Sequence, residues 1–150
     1  MDILVSTDWL AENMGASELR IVDASYFLPE MGRDASAEYE AQHIPGAVFL
    51  NLAELADATS PLANTVPQPE KFASRMQALG LGDGSRIVLY DNSPLKSAAR
   101  AWWLFELFGA PNIAILDGGL GKWIAEKREV ESGKQQLRHR HFTVWRDDKA

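Results

Sequence analysis

The segment best placed to do chemistry is Asp91-Asn92-Ser93-Pro94-Leu95-Lys96-Ser97, between the apolar run Ile87-Val88-Leu89-Tyr90 and a helix-forming stretch from Ala98 to Phe108. A loop between a strand end and a helix N-terminus offers free backbone N–H groups and the positive end of the helix dipole, a natural place for an anion. A cysteine at its first position would be acidified and made nucleophilic. That position holds Asp91. A carboxylate can accept those N–H bonds and cap the helix, but it cannot carry a persulfide. The chain has no cysteine at all, which excludes disulfides, thiolate metal sites and any thiol nucleophile within it. An aspartyl nucleophile for phosphoryl transfer would want a second aspartate two residues on, where Ser93 stands. Lys96 reads as a solvated loop residue.

Other candidates are weaker. His139-Arg140-His141 sits in a polar tail and makes a poor metal site, so no metal is expected. Gly118-Gly119-Leu120-Gly121 lacks the full dinucleotide fingerprint, and no phosphate loop of the Gly-Lys-Ser type is present. No cofactor is expected.

The elements that must hold this loop alternate along the chain. Ser6-Thr7-Asp8 caps a first helix through Trp9, Leu10 and Met14. Leu19–Ala24 is a short β-branched strand, and Tyr26–Arg33, with Pro29 and Gly32, is a long loop. Ala35–Ala41 suits a short helix, broken by His43-Ile44-Pro45-Gly46. Ala47–Leu50 is a second strand, and Asn51 caps a helix to about Asp57. Thr59–Pro69 reads as a surface loop. Pro69 opens a helix to about Leu79, with Phe72, Met76 and Leu79 at helical spacing. Arg86–Tyr90 is the clearest strand. The helix from Ala98 is apolar nearly all round and must be buried on more than one side. Ile113–Leu116 is another buried strand, and a last helix carries Leu120, Trp123 and Ile124. After Val130 the chain turns polar, and 135–150 reads as a tail.

Strands apolar throughout, alternating with helices, imply a mainly parallel sheet covered on both faces, an α/β fold. Ligands in such sheets sit beyond the carboxyl ends of the strands, so the segments after Val22, Leu50, Tyr90 and Leu116 matter most. A chain of 150 residues makes one domain, and 46% apolar with 24% charged residues is the balance of a globular protein. A net charge of -6 argues against a nucleic-acid partner. No stretch nears the roughly 18–20 apolar residues of a membrane helix, and the N-terminus carries no basic, signal-like region. The expected location is cytoplasmic.

Several motifs in order resemble a known family. His43-Ile44-Pro45-Gly46-Ala47 with Phe49-Leu50-Asn51 resembles the amino-terminal signature of rhodanese-type sulfurtransferases. Val22-Asp23-Ala24, Tyr26, Leu28-Pro29 and Gly32-Arg33-Asp34-Ala35 are similar to the first part of two-domain thiosulfate and 3-mercaptopyruvate sulfurtransferases. So are Ser60-Pro61-Leu62, Val88–Asp91, Arg100–Trp103 and Leu116–Leu120 with Trp123. The resemblance covers roughly residues 4 to 133.

It implies a rhodanese-like three-layer α/β/α domain over 1–133, of the non-catalytic type, with 134–150 a polar tail or the start of an interdomain linker. In the family the second of two tandem domains carries the catalytic cysteine, and the first has aspartate at the equivalent place, which Asp91 matches. The chain would be the first half: architectural, lining one wall of the cleft. Its partners would be a catalytic rhodanese domain, covalent or separate, and a small sulfur donor in the full enzyme. An uncovered interdomain face would favour self-association. His43 becomes a candidate proton-handling or hydrogen-bonding group in the cleft, with Asp34 able to orient it, although His43 can equally serve only its own loop. Arg33 becomes a candidate for an acidic substrate or partner carboxylate, against a plain ion pair. Arg100 can neutralise Asp91 or Asp117, and Trp102 and Trp103 read as core, one of them a candidate for the domain–domain face. The rival reading is a free-standing inactive module that uses the Asp91 loop, with Asn92, Ser93 and Lys96, against a partner's basic group. A reading frame continuing past Ala150 into a cysteine-bearing domain separates the two.

Overall fold

The computed structural model describes residues 3–14, 16, 18–27, 31–52, 69–81, 86–92, 97–109 and 112–133. Along the chain come β1 (Leu4–Val5), α1 (Thr7–Asn13), β2 (Leu19–Asp23), α2 (Ala35–Ala41) and β3 (Val48–Phe49). They are followed by α3 (Pro69–Ala78), β4 (Arg86–Tyr90), α4 (Ser97–Leu107), β5 (Ile113–Leu116) and α5 (Gly119–Ala125). The five strands form one sheet in the order β1-β5-β4-β2-β3. Every pairing is parallel, so the expected mainly parallel sheet is wholly parallel among the described residues. β2 lies against β4 from Leu19↔Arg86 to Asp23↔Tyr90.

The layering follows from the two-residue alternation of side chains along each strand. Val22 and Ala24, Ile87 and Leu89, and Ile113 point to one face and meet Phe72 and Met76 of α3 and Ala101, Leu104 and Phe105 of α4. Leu19 and Ile21, Val88 and Tyr90, and Ala114 and Leu116 point to the other face and meet Leu10 of α1, Tyr39 of α2, and Leu120 and Trp123 of α5. The central strands are apolar on both faces because both faces are covered. Phe72 anchors the first core, its ring 5.2 Å from that of Phe105 and 4.6 Å from that of Phe108.

Helix ends match their local chemistry. Ser6 caps α1 by accepting the Trp9 N–H at 2.9 Å. Asp34 caps α2 by accepting the Ala37 N–H at 3.1 Å. One element departs from the sequence reading. β1 forms from Leu4–Val5, too short to show any periodicity, because Ile3 O and Val5 O accept the N–H groups of Ile115 and Asp117 at 2.7 and 2.9 Å. Past Val130 the chain is still held to the domain: Glu131 pairs with His43, and Gly133 N–H donates to Glu40 O at 2.7 Å. Residues 59–68 of the expected surface loop, residues 53–57 of the helix expected after Asn51, and residues 134–150 lie outside the described residues. No described helix is long and apolar enough to cross a membrane.

Candidate functional site

From β2 the chain moves outward to β3, then returns across β2 to β4 and continues the opposite way to β5. The strand order therefore reverses between β2 and β4, the place where open parallel sheets carry their crevice, above the carboxyl ends. The loop singled out from sequence begins at this point. Asp23 ends β2 and is followed by Ala24 and Ser25, and Asp91 and Asn92 follow β4.

Asp91 ties two helices on opposite faces of the sheet. Its Oδ2 accepts the Ala98 N–H in the first turn of α4 at 2.8 Å. Its backbone carbonyl accepts the Leu120 N–H at the start of α5 at 3.1 Å. The second contact needs a glycine beside it. Gly119 has φ +60, and a Cβ there would stand 2.5 Å from Asp91 O. Ser97 closes the same junction by donating from Oγ to Ala24 O at 2.7 Å.

Behind Asp91 lies a buried polar cluster. Asp23 is 3% exposed, and its Oδ1 accepts the Ser25 N–H at 2.9 Å. Ser25 Oγ in turn accepts the Asn92 N–H at 2.8 Å, joining the two strand ends. The register sets Tyr90 beside Asp23, and the two side chains hydrogen-bond. Burial pushes the Asp23 carboxyl above its ordinary value, and the nearby Asp91 charge adds to this, against hydrogen bonds from Ser25 and Tyr90 that favour the anion. Burial and the Asp23 charge hold the Tyr90 phenol well above its usual range. The Tyr90 oxygen accepts the Ile44 N–H at 3.3 Å, linking the cluster to the turn after α2.

Arg33 forms the outer rim. It grips Glu38 with two hydrogen bonds, at 2.9 and 2.6 Å, and its guanidinium carbon stands 4.0 Å over the Phe27 ring. The same Nη2 that bonds Glu38 also donates to Asn92 O at 3.4 Å. The Glu38 bonds raise the Arg33 pKa and keep it charged. Asp34 spends its carboxylate on the α2 cap. His43 lies past the other end of α2, about 10 Å of helix rise away from that cap. It is fully buried, stacked on Tyr39 at 4.3 Å, with Nδ1 3.0 Å from Tyr39 O and Nε2 3.4 Å from Glu131 Oε1.

Of the candidates, Arg33, Asn92 and Asp91 come together at the crevice, Asp34 stands at its edge, and His43 lies under the turn after α2. Ser93 and Lys96 lie outside the described residues, as do His139 and His141. Arg100 stands over the Trp103 ring, its guanidinium carbon 4.9 Å from the centroid. The sequence places Ser97 at the end of the candidate loop but does not single out Asp23, Ser25 or Tyr90 as site residues. The available signal was their place at the ends of the two central strands. Among the described residues no group of three or more His, Asp or Glu side chains could hold a metal. The arrangement is an acid seated on a helix amide with a guanidinium nearby, in a chain that holds no thiol.

The Rhodanese-like domain family matches residues 6–126. The chain is 42% identical over 139 residues to human 3-mercaptopyruvate sulfurtransferase, covering 89% of this chain and 47% of that protein. It is 42% identical over 129 residues to thiosulfate/3-mercaptopyruvate sulfurtransferase 2 of Arabidopsis thaliana, covering 86% of this chain and 38% of the relative. The crystal structure of SseA, a 3-mercaptopyruvate sulfotransferase from Escherichia coli, superposes with a TM-score of 0.94 at 38% identity, over 100% of this chain and 58% of that one. The chain thus spans about half the length or less of the curated relatives it matches.

Proposed function

The chain belongs to the rhodanese-like family, and we propose that it is the first, non-catalytic half of a thiosulfate or 3-mercaptopyruvate sulfurtransferase. The observation that carries this is the acid at the loop mouth. Asp91 stands where the strand-to-helix geometry would activate a thiol, and its carboxylate is engaged with the Ala98 amide. The half-length match to relatives with those two names supports the same conclusion. The full enzyme would move a sulfane sulfur to a thiol or cyanide through a cysteine persulfide on a second domain, and no cofactor is needed for that.

In this reading residues 1–133 are the domain and 134–150 begin the interdomain linker. Asp91, Asn92, Asp34 and Arg33 line one wall of the cleft, with Ser93 and Lys96 in the same loop. Arg33 offers a fixed positive charge toward an anionic sulfur donor or a carboxylate of the second domain. His43 supports the wall from beneath, through the turn after α2.

The test is an activity assay with and without the other half. The purified chain should give no sulfur transfer from thiosulfate to cyanide or from 3-mercaptopyruvate to a thiol. Co-expressed with the cysteine-bearing domain from its own reading frame or a neighbouring gene, it should co-purify with that domain and restore turnover. Turnover above background by the chain alone would overturn the proposal. An inactive chain that binds no such domain would favour the free-standing module. Asp91→Cys alone should also fail, because Asn92–Ser97 does not resemble the family's catalytic loop. Near-native rates in that variant would refute this.

A further inference from the structure

Residues 129–133 run back along the turn that follows α2. His43 and Glu131 exchange both backbone hydrogen bonds, His43 N–H to Glu131 O at 2.8 Å and Glu131 N–H to His43 O at 2.9 Å, an antiparallel pair apart from the parallel sheet. The Glu131 side chain reaches the same turn. Its Oε1 accepts the Gly46 N–H at 2.7 Å and lies 3.4 Å from Nε2 of the buried His43. Gly46 has φ +82 in this tight turn, and a carboxylate 85 residues further along the chain satisfies its amide. On either side of Glu131 the backbone is held again. Glu129 O accepts the Trp123 indole N–H at 2.7 Å, and Gly133 N–H donates to Glu40 O at 2.7 Å.

This clasp lies at one end of a short rigid element. α2 has seven residues, about 10 Å of rise. Its first turn carries the Asp34 cap beside Arg33, whose guanidinium reaches the Asn92 carbonyl at the crevice. Its last turn supplies Tyr39 O and Glu40 O to His43 and Gly133. One helix therefore joins the crevice to the segment 131–133.

We infer that Glu131 is a positioning residue, fastening residues 131–133 to the His43–Ala47 turn so that whatever follows Gly133 starts from a fixed point relative to the cleft wall. The functional consequence rests on the proposal that a second domain follows. The clasp itself does not, and its test needs only this chain.

The absence of native cysteine makes site-directed spin labelling clean. Labels at Glu12→Cys on α1 and Ser132→Cys, both exposed positions, report the distance between domain body and clasp by double electron–electron resonance. A single narrow distance distribution is expected. Glu131→Ala should broaden it and speed exchange of the Gly46 amide on the order of tenfold, the loss of one hydrogen bond, while β4 amides keep their protection. Glu131→Gln retains an oxygen acceptor and should restore both the narrow distribution and the slow exchange. A narrow distribution with unchanged exchange in Glu131→Ala would overturn the inference, as would a Gln variant as loose as the Ala one. Either result leaves the co-purification and turnover test of the second domain untouched, so the two ideas fail separately.

Discussion

Truncating Asp91 to alanine separates a structural acid from an idle one. The carboxylate accepts the Ala98 N–H at 2.8 Å, and Ala98 is 2% exposed, so its amide has no ready access to water once that acceptor is gone. Leaving a buried donor unsatisfied costs about 1–3 kcal/mol, and loss of an N-terminal cap typically about 1 kcal/mol on its own. The two describe the same bond and do not add. Removing a negative charge from the helix N-terminus costs roughly 0.3–1 kcal/mol more. Against this, the Asp91 charge disfavours ionisation of Asp23, and its removal returns part of the loss. The balance is a destabilisation of about 1.5–3 kcal/mol for Asp91→Ala, or a Tm lower by roughly 3–12 °C for a domain of this size. Asp91→Asn keeps an oxygen acceptor and relieves Asp23, so it should stay within about 1 kcal/mol of wild type. Urea and thermal unfolding followed by circular dichroism measure both. An alanine variant within about 0.5 kcal/mol of wild type, the usual scatter of neutral surface substitutions, would refute the assignment of Asp91 as the tie between β4 and α4.

Asp23 sets a pH dependence. Its folded pKa lies above its ordinary 3.8, so as pH rises from about 4 the unfolded chain ionises first and the fold loses stability until the folded carboxyl also ionises. Asp23→Asn should remove that fall, gaining on wild type across the window in Tm measured from pH 4 to 8; parallel Tm curves would reject this. Gly119→Ala places a Cβ 2.5 Å from Asp91 O at a left-handed φ and should cost upward of about 1–2 kcal/mol by denaturant titration, and a neutral result would show that the α5 start can move away from Asp91. Among the described residues Ile3, Leu4, Trp103 and Ile124 are large apolar side chains exposed by 40% or more, and the chain alone should self-associate in sedimentation velocity at high concentration. A monomeric profile throughout would count against an uncovered interdomain face.

Much of the layout was readable from the residues. The strands at Leu19, Arg86 and Ile113 declare themselves because strands buried on both faces are apolar at successive positions. α1 declares itself by Ser6, whose side chain can satisfy the first free amides, whereas the Asp34 cap of α2 emerges only from the structure. The missing thiol needs no structure at all, and the strand-to-helix grammar around Asp91 says where it is missing. β1 was not readable, since two residues carry no period.

The tertiary structure decided what lies beside what. Asp23 meets Tyr90 only because the register pairs β2 with β4, and that pairing turns an ordinary aspartate into a buried one with a raised pKa. Ser25 meets Asn92 across 67 residues and Gly46 meets Glu131 across 85, with nothing local to announce either contact. Gly119 reads in sequence as one more turn glycine, and only the approach of Asp91 O makes it necessary. Local propensity and alternation act within a few residues and mark the elements. Hydrogen-bond partners for buried or left-handed groups come from wherever the sheet order brings the chain back, and the fold alone supplies that order.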